Sequence, residues 1–172
     1  MKKRLAPAVL AFALLAVFTA GQKTAYIGSE KCQVCHRAES RGKQYQLWES
    51  TKHSKSYAAL TSSQAAQAAQ ALGIDKPETS PKCQGCHAPL FDKAPDRKAE
   101  SVSCEFCHGP GSEYAKLTVM KDKAAAVQNG LKLYGSMDAI KTFCLTCHEN
   151  AHGKSFDFAA GWDKIKHPLP AK

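Results

Sequence analysis

The 172-residue sequence is poor in several features that mark common protein classes. Strand-like alternation of apolar and polar positions is confined to one short stretch, residues 98–104, so the fold class expected is mainly α with little strand. No apolar run after Phe18 approaches the roughly 20 residues that span a bilayer, and no stable membrane insertion is expected beyond that point. Methionine occurs only three times, and no cysteine stands alone, because all eight fall in pairs. No grouping of side chains reads as an acid–base constellation, which weighs against an enzyme.

What is present begins with a leader. Met1-Lys2-Lys3-Arg4 is a positive segment, Leu5 to Phe18 is an apolar run, and Thr19-Ala20-Gly21 offers small residues for cleavage before Gln22. This is the plan of a secretory signal peptide over residues 1–21, with 22–172 as one exported domain. No cysteine stands directly after the apolar run, so a lipoprotein anchor is not expected. The formal charge is +9, and loss of Lys2, Lys3 and Arg4 leaves 21 basic against 15 acidic residues, or +6. A basic chain ordinarily suggests an anionic partner such as nucleic acid.

The cysteines redirect that reading. They occur as Cys32-Gln-Val-Cys35-His36, Cys83-Gln-Gly-Cys86-His87, Cys104-Glu-Phe-Cys107-His108 and Cys144-Leu-Thr-Cys147-His148. Each pair has the same spacing, and each is followed at once by histidine. Paired C-x-x-C motifs also bind zinc, and exported cysteines also form disulfides. Neither alternative accounts for a histidine after all four pairs when only seven histidines occur in the chain. C-x-x-C-H is the attachment motif of c-type haem. Two thiols at this spacing form thioethers with the two vinyl groups of one porphyrin edge, and the adjacent histidine reaches the iron.

Four covalently bound haems are therefore expected, in under 40 residues each. So short a chain cannot also build a large core, and the porphyrins are expected to supply much of the apolar interior. Motifs two and three, close in sequence, are expected to hold neighbouring haems. Two propionates per haem offset the excess positive charge, so nucleic acid is not expected as a partner. Basic residues such as Lys93, Arg97, Lys98, Lys116, Lys121 and Lys123 then read as solvated surface.

The sixth ligands are in short supply. Beyond the four motif histidines there remain only His53, His152 and His167, with Met120 and Met137 as the methionines of the exported chain. At least one iron must be five-coordinate, methionine-ligated or completed by another subunit. His53 is the leading candidate, in a helix expected to run from Trp48 to about Leu60. His167 comes next, in an extended tail before Pro168. His152 is the weakest: as a helical neighbour four residues from His148 it would share that residue's face and could serve only another haem. Elsewhere, a helix from Gln64 to Leu72 is expected, capped by Ser62 or Ser63 and stopped at Gly73. A second is expected over 122–133, weakened by Gly130, with loops at 77–81 and 89–95.

The order of motifs, with Trp48, Ser50 and His53 between the first two and Val102-Ser-Cys-Glu-Phe-Cys-His-Gly-Pro-Gly111 around the third, resembles the tetrahaem cytochrome c-554 family. The lead-in Tyr26-Ile-Gly-Ser-Glu-Lys31 and the closing His167-Pro-Leu-Pro170 extend the likeness over the exported chain. The resemblance implies a mainly helical protein that passes electrons through closely spaced haems, some in stacked pairs, and His53 as a distal ligand. The family's namesake takes electrons from hydroxylamine oxidoreductase and has one five-coordinate haem. No spare histidine lies here between His53 and the fourth motif, which is where the namesake has distal ligands. The reading favoured is a periplasmic electron carrier between redox partner proteins of a respiratory chain. Two others stay open: a reductase of nitric oxide, hydroxylamine or peroxide at an open iron, and a self-assembling conduit in which a neighbour supplies the missing ligand.

Overall fold

The computed structural model describes residues 24–168, so the expected leader lies outside the described residues. Among the described residues there are ten short α-helices: α1 Ser29–His36, α2 Gln44–Ser50, α3 Ser56–Ala59, α4 Ser63–Gln70, α5 Pro81–His87, α6 Cys104–His108, α7 Leu117–Met120, α8 Lys123–Gln128, α9 Met137–His148 and α10 Phe158–Ile165. Four 3₁₀ turns lie between them, at Glu39–Arg41, His53–Lys55, Pro95–Glu100 and Ala151–Gly153. The mainly helical class is as expected, and no strand occurs among the described residues. Residues 98–104 are a correction: the segment enters as a 3₁₀ turn behind Pro95 and passes through Ser101 at φ +65°. Its backbone bonds go to individual partners, Val102 N–H donating to the His53 carbonyl at 3.1 Å, and not to a ladder.

Local chemistry sets the helix ends. Side chains of Ser62, Ser103, Asp122, Ser136 and Asp157 accept backbone N–H bonds at the starts of α4, α6, α8, α9 and α10, each satisfying an otherwise orphan donor. The alanine- and glutamine-rich helix forms as α4, with Gly73 left-handed beyond it. The helix expected to 133 ends at Gln128, because Gly130 turns the chain at φ +100°. The helix expected from Trp48 to Leu60 is interrupted: α2 stops at Ser50 and Thr51 is extended.

The polypeptide's own core is small. Its larger buried apolar side chains are Leu60, Leu90, Val102 and Tyr114, and the others are alanines at 69, 88, 94 and 126. Among the described residues no phenylalanine, tryptophan or isoleucine joins them. A buried polar contact joins two separate segments. Glu105 is 2% exposed, and its carboxylate accepts from Ile27 N at 3.0 Å, Gly28 N at 2.7 Å and Gly111 N at 2.6 Å. This ties the lead-in before α1 to the Gly-Pro-Gly segment after α6. A Cβ at Gly111 would come within 2.9 Å of Ile27 Cδ1 and 3.0 Å of Glu105 Oε1, so a side chain there would displace the end of Ile27 or the carboxylate.

Candidate haem sites

All four C-x-x-C-H motifs lie at the ends of helices, and α1, α5, α6 and α9 each terminate on the motif histidine. In a helix, positions i, i+3 and i+4 share one face. Both sulfurs and the imidazole of a motif therefore point to the same side, as one tethered porphyrin requires. None of the eight cysteines is in a disulfide.

The histidines meet in twos. His53 and His148 have ring centres 6.0 Å apart, His87 and His152 are 6.1 Å apart, and His108 and His167 are 6.0 Å apart. Two metal–nitrogen bonds of about 2 Å, with each ring centre roughly 1.1 Å behind its nitrogen, would place two axial imidazoles about 6 Å apart. Three motif histidines and all three spare histidines thus stand at the separation one iron between them needs. No group of three or more His, Cys, Asp or Glu side chains converges among the described residues, as a bare-metal site would require.

Second contacts fix the rings. His87 Nδ1 lies 2.9 Å from the Ser56 carbonyl and His108 Nδ1 lies 3.1 Å from the Lys132 carbonyl. A carbonyl can only accept, so both rings donate from Nδ1 and keep the Nε2 lone pair for metal. Phe156 stacks on His148 at 4.4 Å and 15°. Burial lowers the pKa of His53, His108 and His148, and partial burial with His108 alongside does the same for His167, whose outer edge is exposed. Neutral imidazole is the form that ligates.

His152 owes its position to backbone geometry. Helix α9 ends at His148, and Asn150 and His152 both adopt left-handed conformations, at φ +52° and +55°. His152 therefore leaves the face of its own motif and meets His87 of motif two. His53 is re-aimed by the interruption at Thr51. Its carbonyl accepts from Val102 N and Ser56 Oγ, and the same hydroxyl lies 2.7 Å from the His87 carbonyl.

His36 is left over. Its Nδ1 contacts Gln44 Oε1 at 3.2 Å, and no second imidazole faces it among the described residues. Met120 is in α7, which packs on α8, and Met137 opens α9 half exposed.

The motifs also touch one another. Cys32 and Cys104 interact; the contact, with burial, raises the Cys32 thiol, and it lowers that of Cys104 against the effect of burial. Cys86 lies beside Cys147; burial chiefly, with that thiol, pushes it up to about 11. Burial and the neighbouring thiols Cys104, Cys144 and Cys147 push Cys107 up to about 12, while Phe106 packs on Phe143 at 5.2 Å. Contacts thus join motifs one with three, three with four and four with two. None of these contacts joins motifs two and three.

Sequence reasoning missed Glu105, Ser56 and Gln44. It also placed Arg97 on the solvated surface, whereas Arg97 bridges Glu30 at 2.9 Å and Glu100 at 3.2 Å, and Glu100 accepts from Ser29 N. A carboxylate inside a haem motif was the one legible signal.

Paired cysteines and an adjacent histidine on one helical face, repeated at helix ends over a small polypeptide core, are the pattern of a c-type cytochrome. The family model for cytochrome c554 and c-prime matches residues 31–109, covering motifs one to three. Cytochrome c-554 of Nitrosomonas europaea is 29% identical over 173 aligned positions, spanning 89% of this chain and 71% of that protein. No solved structure matches. By this model and this relative, the chain is similar to the cytochrome c-554 family. Its cofactor is covalently bound haem c, and its class of function is electron transfer with redox partner proteins.

Proposed function

We propose that residues 22–172, freed of the leader, form one periplasmic domain holding four haems c and carrying electrons between respiratory partners. When bound, haem supplies a one-electron iron couple whose potential is set largely by axial ligand and surroundings. The chain would hold these groups through Cys32 and Cys35, Cys83 and Cys86, Cys104 and Cys107, and Cys144 and Cys147. His87 with His152, His108 with His167 and His148 with His53 would close three irons on both sides. The observation that carries the reading is this set of three histidine pairs at one common separation. The contacts between motifs support the spatial order one, three, four, two, so neighbours for exchange follow packing and not sequence.

The test is a haem count by pyridine haemochrome and intact mass, together with electron paramagnetic resonance. Four haems are expected, three low-spin and one high-spin. His53→Ala, His152→Ala and His167→Ala should each add one high-spin iron. Fewer than four haems, or a histidine variant that leaves the spin count unchanged, overturns the reading. One observation keeps a second reading, the small-molecule reductase, in play: His36 faces no second imidazole. Nitric oxide that binds the high-spin iron and is turned over would support it, and iron indifferent to nitric oxide would remove it.

A further inference from the structure

Gln44 occupies an unusual position among the contacts of the motif histidines. His87 and His108 donate to backbone carbonyls, which are fixed by the fold. His36 instead meets a side-chain amide, at 3.2 Å from Gln44 Oε1. The other end of that amide is fully engaged. Gln44 Nε2 donates to the carbonyl of Arg41 and, at 2.9 Å, to the carbonyl of Pro168. Two carbonyl acceptors fix the nitrogen end, so the oxygen end must face His36. That in turn makes His36 Nδ1 the donor and leaves Nε2 for iron.

Pro168 directly follows His167, the residue paired with His108. The tail is seated against the turn that starts α2. A Cβ on Gly42, which sits at φ +92°, would come within 3.0 Å of the Pro168 carbonyl oxygen and 3.2 Å of its Cγ. Lys43 beside it is also left-handed, at φ +51°. Such conformations persist only where surrounding contacts hold them. One amide therefore touches the sole ligand of motif one and the chain end that carries the second ligand of motif three.

We infer that Gln44 is a positioning residue that tunes the His36 ligand and couples it to the seating of His167. The inference rests on the ligand assignment proposed above. A stronger acceptor at this position makes the imidazole a richer donor to iron, and loss of the acceptor makes it poorer. Loss of the Nε2 donors releases Pro168, and with it the restraint on His167. By linkage, whatever loosens one end is felt at the other.

The experiment compares holoproteins carrying Gln44→Glu and Gln44→Leu. In the reduced protein, the iron–histidine stretching band of the five-coordinate haem, read by resonance Raman, is expected to shift up with Glu and down with Leu. One of the four midpoint potentials is expected to fall with Glu and rise with Leu. In the oxidised protein, the rate at which cyanide takes a second iron is limited by departure of a histidine. Both variants should raise that rate roughly fivefold, the equivalent of one ordinary hydrogen bond. Opposite signs at motif one with the same sign at His167 separate a ligand effect from general loosening. Shifts of one sign in both variants, or no shift in band and potential, overturn the role of Gln44. A wild-type protein with no iron–histidine band overturns instead the open position at His36, and the potentials then decide Gln44 alone.

Discussion

Glu105 shows how one side chain can serve a haem motif without touching the metal. A buried carboxylate is tolerated only when its oxygens are satisfied, and here three backbone N–H groups do so at 2.6–3.0 Å. Glu105→Ala leaves those donors buried and unpaired, and should cost about 3–5 kcal/mol of stability. The check is the midpoint of chemical unfolding of the holoprotein at unchanged haem content, and a cost below about 1 kcal/mol would refute the anchoring role. His152 makes the converse case. Its left-handed backbone costs a non-glycine residue about 1–3 kcal/mol, which ligation can offset. His152→Gly should therefore keep the backbone yet turn one iron high-spin, and added imidazole should restore the low-spin spectrum. The four C-x-x-C-H motifs were legible in the sequence because thioether chemistry fixes that spacing. Gln44 and Ser56 were not, because each acts on residues set apart from it in the chain or through its backbone, and Glu105 left only the mark of a carboxylate inside a motif.

At the level of elements, the sequence shows where helices can start but not where tertiary contacts break them. Ser62 was readable as a cap because a hydroxyl accepting an N–H three residues on is a local event. Ser62→Ala should lower stability by about 1 kcal/mol with the haem spectrum unchanged, as read from thermal unfolding at a haem band. The interruption at Thr51 was not readable, since 48–60 reads as one continuous helix. Contacts from elsewhere settle it: Trp48 Nε1 donates to the Val102 carbonyl at 2.8 Å, and Val102 N donates back to the His53 carbonyl. The same crossing removes any strand from 98–104, whose polar backbone groups are spent on the turn that presents His53. His152 was undervalued for a related reason. The argument from helical spacing is sound for a continuing helix, and α9 ends four residues too early for it to apply.

At the scale of the molecule, the shortage of buried apolar side chains is the counterpart of the wealth of cysteine. A folded chain of this length ordinarily buries large residues against one another. Here the buried set is dominated by alanine and four larger side chains. Helices of four to twelve residues, α3 and α7 at the short end and α9 at the long end, are too short to persist alone in water. On the proposed function, the groups the motifs hold would organise them, and their attachment would fix the pairs His53–His148, His87–His152 and His108–His167. Folding and cofactor attachment should then be one event, as in small metal-dependent domains. The chain produced where haem is not attached should show little helical circular dichroism and no cooperative thermal transition, while the holoprotein shows both. Loss of a single haem through Cys83→Ala and Cys86→Ala should weaken the ends of the molecule nearest motifs two and four first, because Cys86 lies beside Cys147 and Ser56 bridges His53 to His87. Hydrogen exchange would read this as early opening of α3, α5 and α9. Uniform opening throughout would mean that the four attachment sites form one cooperative unit and that the pairwise order of contacts does not govern stability.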